Sequence, residues 1–140
     1  MVAVGTDPPP HARLARPLVL YKGSCPFCRA SARLIERLDR DQRLALLPFD
    51  DADAAAFLAP YSEEERDESW HLFTPAGEHL IKGDATMALI EELAPLRSVG
   101  RAIRALRLTW LVHAFYWIVS HSRGQLSRFL SGEPGPRRFP

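Results

Sequence analysis

Cysteine is scarce in this sequence: its 140 residues include only two, Cys25 and Cys28. Two such residues cannot supply a framework of disulfides, so the packing of apolar residues, which make up 46% of the chain, must hold the fold together. The length suits one domain. Both thiols are therefore available for chemistry, because a close cysteine pair in a cytosolic protein is more often catalytic or metal-binding than structural.

Long apolar runs are also missing. Residues 1–16 contain three consecutive prolines and no apolar run of signal-peptide length, so we interpret them as a flexible leader and expect a cytoplasmic protein. Residues 108–120 carry no Asp, Glu, Lys or Arg but fall short of the roughly 20 residues that cross a bilayer. The glycine- and proline-rich tail, residues 131–140, is predicted to be disordered. Residues 17–130 remain as the folded domain.

Acidic residues are nearly absent from the last third of the chain. Residues 1–40, 41–95 and 96–140 contribute net charges of +4, −10 and +7. Such segregation indicates either a partner surface or ion pairs between the segments across the fold, and we favour the ion pairs. The arginines between residues 97 and 107 have the charge to contact phosphates, but no recognition motif accompanies them. We therefore expect no nucleic-acid partner.

The apolar periodicity predicts an α/β domain with the element order β-α-β-α-β-β-α. Predicted strands cover residues 18–21, 44–49, 70–74 and 79–81, and predicted helices begin at Pro26, near Asp50, at Ser62 and at Gly83. The first two strands would be parallel, and the last two would form an antiparallel hairpin. Residues 96–130 add a C-terminal helical extension. A buried helix packed on the sheet is our first interpretation of its apolar part, and an interfacial membrane helix is our second.

The cysteine pair follows the first predicted strand and opens the first predicted helix. A helix N-terminus offers backbone N–H groups and a partial positive charge, which stabilise a thiolate. Cys25 should lie there and face solvent as the attacking thiol, whereas Cys28, one turn further, should be more buried and resolve a mixed disulfide. Pro26 stiffens the turn, and Phe27 is expected either at the lip of the site, against an apolar substrate, or packed on a neighbouring loop. The pattern predicts thiol–disulfide exchange.

The segment Leu20-Tyr21-x-Gly23-x-Cys25-Pro26-x-Cys28 resembles the thiol–disulfide oxidoreductase DCC family of small thioredoxin-like proteins. The resemblance covers residues 17–130, and it also rests on Gly77, on Gly83-x-Ala85, and on Tyr116, Arg123 and Ser127. It implies a thioredoxin-like sandwich that exchanges disulfides with a protein or a low-molecular-weight thiol. No nucleotide, flavin or metal cofactor is required, because a partner thiol or glutathione would supply the electrons.

Two positions depart from the pattern that the resemblance implies. The family's acidic residue, three positions before the first cysteine, is Lys22 here. Its ammonium would lower the pKa of Cys25 by attraction and make the disulfide more oxidising, unless it is solvated and points away. Thioredoxins in general also carry a cis-proline just before the third strand, where this chain has Glu68-Ser69-Trp70.

Two other functions stay open at this point. A structural zinc site needs four ligands. His71 and His79 could approach each other across the predicted hairpin, but the sequence has no second Cys-x-x-Cys and no H-x₃₋₅-H pair, so we expect no metal. A redox-inactive interaction module would bind a protein or a membrane surface through residues 96–120. Replacing Cys25 by serine separates the two, because the module would keep its function and an oxidoreductase would lose it.

Overall fold

The structure, a computed structural model, describes residues 9–126 and 135–139. Its strands are β1 (Leu18–Tyr21), β2 (Ala45–Pro48), β3 (His71–Phe73) and β4 (His79–Ile81). Its α-helices are α1 (Pro26–Leu38), α2 (Ala55–Leu58), α3 (Glu63–Glu68), α4 (Lys82–Glu92), α5 (Arg97–Ala105) and α6 (Thr109–Leu126). Short 3₁₀ helices cover Pro10–Arg13, Ala52–Ala54 and Ala94–Leu96.

The strands of the described residues form one mixed sheet in the order β2-β1-β3-β4. β1 and β2 are parallel, with Leu18 opposite Ala45, because α1 crosses between them. β3 runs antiparallel to both β1 and β4, so the predicted hairpin is present. The predicted α/β class and the thioredoxin-like order of elements are confirmed.

The side chains of β1 alternate between two apolar cores, one on each face of the sheet. Leu18 and Leu20 pack with Phe57 of α2 on one face. Val19 packs on the other face, with Ile35 of α1 and with residues of α4. Burial of each leucine stabilises the fold by roughly 2 kcal/mol. The second core therefore fixes α1, the helix that begins just after Cys25, against the centre of the sheet.

The C-terminal extension consists of two helices that are separated at Arg107, whose φ is 57°. α6 packs against α4 where Gly83 faces His113, and a Cβ atom on Gly83 would lie 2.3 Å from the Nδ1 atom of His113. Only glycine permits this approach. α6 also contacts α1 and thereby reaches the cysteine-bearing helix.

Only one side of α6 is buried, so the prediction of a buried helix packed on the sheet is wrong. Val112 faces the protein, and Tyr116 and Val119 are half-buried. The remaining surface of the helix exposes large apolar side chains, with Phe115 at the border of the buried side: Trp110, Leu111, Phe115, Trp117 and Ile118. We call these five residues the α6 outer face.

Parts of both predicted flexible ends pack on the domain. Leu14, within the predicted leader, is buried in the core. Residues 135–139 of the predicted disordered tail lie along the outer edge of β2, where the backbone of Arg138 exchanges hydrogen bonds of 2.7 and 2.8 Å with that of Leu46. The remainder of these predictions, residues 1–8, 131–134 and 140, lies outside the described residues, as does Ser127.

Ion pairs join the basic C-terminal segment to the acidic middle of the chain. Arg97 of α5 lies 2.7 Å from the carboxylate of Asp41, and Arg137 of the tail bridges Asp51 and Asp53. The Arg137 guanidinium holds the pKa of Asp51 below its ordinary value, mainly through their hydrogen bond. The predicted pairing between oppositely charged segments is confirmed at these residues.

Candidate active site

Cys25 caps the N-terminus of α1. Its backbone is extended, with φ −96° and ψ 118°, and its Sγ atom accepts the backbone N–H of Cys28 at 3.3 Å. The first N–H groups of a helix have no partner within the helix, and Pro26, the first helical residue, carries no N–H. Its ring also fixes φ near the helical value. A sulfur thus takes the place of the usual capping oxygen and meets the positive end of the helix dipole. Both cysteine side chains are half-buried.

The loop that precedes Cys25 is fixed by hydrogen bonds to its carbonyl oxygens. The N–H of Cys25 donates to Lys22 at 3.2 Å, and the Arg29 guanidinium donates to Gly23 at 2.8 Å. The Lys22 ammonium lies 3.6 Å from the carboxylate of Asp67 in α3. A carboxylate therefore partly offsets the positive charge that the sequence places before the cysteines.

Ser69 fixes the segment just before β3. Its hydroxyl accepts the N–H of Lys82 at 2.8 Å and the hydroxyl of Tyr116 at 3.0 Å, and it donates to the carbonyl of Trp70 at 2.8 Å. One donor and two acceptor sites are the full capacity of a serine hydroxyl. This buried network ties β3, the start of α4 and the middle of α6 together.

A cavity of about 170 Å³ lies between α1, the segment before β3, and α6. Cys28 and Phe27 form the α1 side of its wall, Trp70 lies at its sheet end, and Phe115 and Val119 come from α6. The wall is almost entirely carbon. Cys25 is not part of it, so the cavity adjoins the pair on the side of Cys28.

The family model described as DCC1-like thiol-disulfide oxidoreductase matches residues 19–129, from β1 to just beyond α6. The chain belongs to this family. The match covers most of the chain and includes both cysteines, so the resemblance found in the sequence is confirmed. No curated protein and no solved structure matches the chain.

Tyr21 of this DCC1-like chain ends β1 and borders the same cavity. Its hydroxyl donates to the carbonyl of Pro136 at 2.5 Å, and a Cβ atom on Gly135 would lie 2.3 Å from that hydroxyl. Burial, helped by the carboxylates of Asp50 and Glu36, raises the pKa of Tyr21 to about 12. The phenol therefore stays protonated near neutral pH and serves the tail as a hydrogen-bond donor.

His71 and His79 meet across the β3–β4 hairpin. The Nδ1 atom of His71 lies 2.8 Å from the Nε2 atom of His79, and the Nε2 atom of His71 lies 3.1 Å from the carbonyl of Arg66. Because a carbonyl only accepts, His71 donates from Nε2, and its Nδ1 accepts from His79. Within residues 9–126 and 135–139, no group of three or more His, Cys, Asp or Glu side chains is arranged to hold a metal ion.

We expect the histidine pair to make the stability of the protein depend on pH. Burial, and then the neighbouring His71, lower the pKa of His79 from 6.5. The unfolded chain therefore takes up the proton at a higher pH than the folded one. The free energy of unfolding should fall as the pH drops below about 6.5, by at most about 1.4 kcal/mol per pH unit, and level off below the folded pKa.

Urea unfolding of the wild type and of His79→Gln, at several pH values between 5 and 8, measures this dependence. The variant should show a shallower decline, whereas the control His121→Gln, at an exposed histidine of α6, should decline like the wild type. If the free energy of unfolding declines equally with pH in all three proteins, groups other than His79 cause the pH dependence.

Sequence reasoning identified Cys28 and Phe27 but not the cavity that they border. The other walls come from segments far away in the chain, above all Trp70 and α6. Two signals were present: an aromatic residue where thioredoxins in general carry proline, and the uncharged, aromatic-rich stretch 108–120. Neither signal reveals which side of α6 faces α1.

Proposed function

We propose that this DCC1-like chain exchanges a disulfide between Cys25 and Cys28 and a partner thiol of a protein or a small molecule. The observation that carries the proposal is the Cys25 sulfur at the N-terminus of α1, where it accepts the N–H of Cys28 at 3.3 Å. That N–H and the helix dipole favour the thiolate, which is the form that attacks a disulfide. The cytoplasmic location expected from the sequence stays part of this proposal.

The exchange has two steps. The Cys25 thiolate attacks one sulfur of the substrate disulfide, so a Cys25–substrate bond forms and the other substrate sulfur leaves and takes a proton. Cys28 then loses its proton and attacks the Cys25 sulfur, which forms the Cys25–Cys28 bond and releases the second substrate thiol. The protein dithiol is oxidised by two electrons and the substrate is reduced by two. A partner thiol such as glutathione reverses the change, and no nucleotide, flavin or metal takes part.

We assign Lys22 a secondary role in tuning the Cys25 thiolate. Its ammonium lies near the start of the cysteine loop but pairs with Asp67 at 3.6 Å, and both side chains are about half exposed. Water and the Asp67 carboxylate together weaken the electric field of the Lys22 ammonium at the Cys25 sulfur. We also assign Pro26 and Phe27 to the lip of the site, and the position of Phe27 at the border of the apolar cavity supports this assignment.

A redox titration in glutathione buffers, read by thiol trapping and mass spectrometry, tests the proposed function. We expect one reversible two-electron transition within about −120 to −270 mV, the range of known exchange proteins. Lys22→Asp should shift the transition towards more reducing potentials, because a carboxylate disfavours the thiolate. A pair that never closes, or that closes and cannot be reopened, would overturn the proposal.

A second candidate function, binding to an anionic membrane surface, is favoured by the α6 outer face. Trp110, Phe115 and Trp117 are each at least 60% exposed, which leaves a large apolar patch uncovered on the protein. Exposed arginines of the preceding segment, Arg101 and Arg107, adjoin it in the chain. Aromatic side chains beside arginines suit the boundary of an anionic bilayer. No helix in the described part of the chain combines the length and apolar composition that a bilayer-spanning segment needs.

Sedimentation with lipid vesicles tests this second candidate. The wild type should bind vesicles containing anionic phosphatidylglycerol and should bind pure phosphatidylcholine much more weakly, because the arginines need a charged partner. Trp110→Ser with Trp117→Ser should weaken binding at least about tenfold. Leu34→Ser, at an exposed leucine of α1, is the control and should bind like the wild type. If the double variant binds vesicles as tightly as the wild type, or if light scattering shows a dimer that the double variant does not form, the membrane-binding candidate is contradicted.

A further inference from the structure

We propose that the cavity beside Cys28 binds an apolar, ring-sized group attached next to the substrate sulfur. The inference rests on the proposed exchange function and names its substrate class: thiols and disulfides that carry an aromatic or branched aliphatic group close to the sulfur. Three features of the cavity support it, namely its size, its wall and its position.

The size fits a single ring. The cavity holds about 170 Å³, and an apolar protein cavity of about 150 Å³ stays dry and takes up benzene. A phenyl or isobutyl group therefore fits, whereas a whole peptide segment does not. The half-exposed lip also lets such a group enter, because Phe115 borders the cavity although 64% of its side chain is exposed.

The wall offers almost nothing to a charged or strongly polar group. The hydroxyl of Tyr116 is turned to Ser69, and the hydroxyl of Tyr21 is turned to the carbonyl of Pro136. The Thr86 hydroxyl donates to the Lys82 carbonyl of its own helix. A carboxylate or ammonium inside would lose its hydration and meet no charged side chain in the wall. The cavity therefore selects apolar groups.

The position couples the cavity to the reaction. Cys28 forms part of the wall. Cys25 lies one helical turn away, and its sulfur accepts a hydrogen bond from the backbone N–H of Cys28. A substrate sulfur joined to Cys25 thus lies at the edge of the cavity, and its neighbouring apolar group can enter while Cys28 attacks. Binding energy gained there increases the rate of exchange for apolar substrates over polar ones. Trp70 lines the cavity at the sheet end, where its indole can contact the ring of a substrate.

Two peptide disulfides with equal sulfur chemistry test the inference on the full chain: the oxidised dimers of acetyl-Phe-Cys-amide and of acetyl-Ser-Cys-amide. The reduced protein is mixed with each, and the rate of peptide-thiol release is followed by chromatography. We expect the phenylalanine peptide to react at least tenfold faster. Val119→Phe, which fills the cavity from α6, should bring the ratio of the two rates close to one. Gln125→Phe adds the same ring at an exposed position of α6 and should keep the ratio.

The outcomes separate the inference from the function on which it rests. If neither peptide reacts with the wild type, the proposed exchange function fails. If both react at equal rates, or if Val119→Phe keeps the wild-type ratio, the cavity does not select substrates and the inference is overturned. Circular dichroism checks that Val119→Phe is folded. Thr86→Leu fills the same cavity from α4 and provides the test if Val119→Phe does not fold.

Discussion

Cys25→Ser should reduce thiol–disulfide exchange to the uncatalysed background, a loss on the order of 10³-fold or more. Serine keeps the cap on α1, because its oxygen accepts the Cys28 N–H that the sulfur accepts now, at 3.3 Å in the wild type. The fold therefore stays intact while the nucleophile is lost. Cys28→Ser should have a different effect: the first step proceeds, but nothing resolves the mixed disulfide on Cys25.

Mass spectrometry after incubation with an oxidised substrate peptide distinguishes the two variants. Cys28→Ser should accumulate one covalently bound substrate thiol, and Cys25→Ser should accumulate none. The reverse result would make Cys28 the attacking thiol. If the wild type exchanges disulfides no faster than the uncatalysed background, and neither variant changes that rate, the protein is an interaction module whose cysteines serve another purpose.

The location of the cysteines could be predicted because it depends on neighbours in the chain. A short apolar run, a turn at Gly23 and a proline after Cys25 are local signals of a strand, a loop and a helix start. The structure has the strand at Leu18–Tyr21 and the helix at Pro26–Leu38. The burial of β1 also followed, because four consecutive apolar residues are typical of a strand that is buried on both faces.

The surroundings of the pair depend on contacts between distant segments, and the sequence does not specify these. α6 is apolar on both sides, so its pattern did not indicate that Val112 would be buried and Trp110 exposed. The composition of the tail suggested disorder, since glycine and proline form few regular contacts. Arg138 nevertheless lies on β2, because its guanidinium has a buried carboxylate partner at the end of α1, far away in the sequence.

That partner is Asp39, and its replacement should destabilise the protein much more than the replacement of an exposed carboxylate. The side chain is almost fully buried. One carboxylate oxygen accepts the N–H of Arg43 and the other accepts that of Leu44, both at 2.9 Å. The second oxygen also pairs with the guanidinium of Arg138, which donates to the carbonyl of Leu44 as well. Asp39 thus joins the C-terminal end of α1, the start of β2 and the tail.

Asp39→Ala leaves two backbone N–H groups without their acceptor and deprives the half-buried guanidinium of Arg138 of its carboxylate. Breaking a buried pair in this way costs about 3–5 kcal/mol, which corresponds to a fall in Tm of roughly 10 °C or more for a chain of this size. Asp41→Ala is the matched control, because Asp41 is an exposed carboxylate that pairs with Arg97 at 2.7 Å. Exposed pairs contribute about 0–1 kcal/mol, so the control should change Tm by only a few degrees.

Calorimetry and urea unfolding of Asp39→Ala, Arg138→Ala and the double variant divide this cost between the two partners. We expect the double variant to be less destabilised than the two single changes added together, with a coupling of about 1–3 kcal/mol, because the second change removes the guanidinium that the first one left without its carboxylate. Equal stability losses in Asp39→Ala and Asp41→Ala would mean that water replaces Arg138 and the tail. A coupling within that range would instead establish that Arg138 of the tail stabilises the C-terminal end of α1 through Asp39.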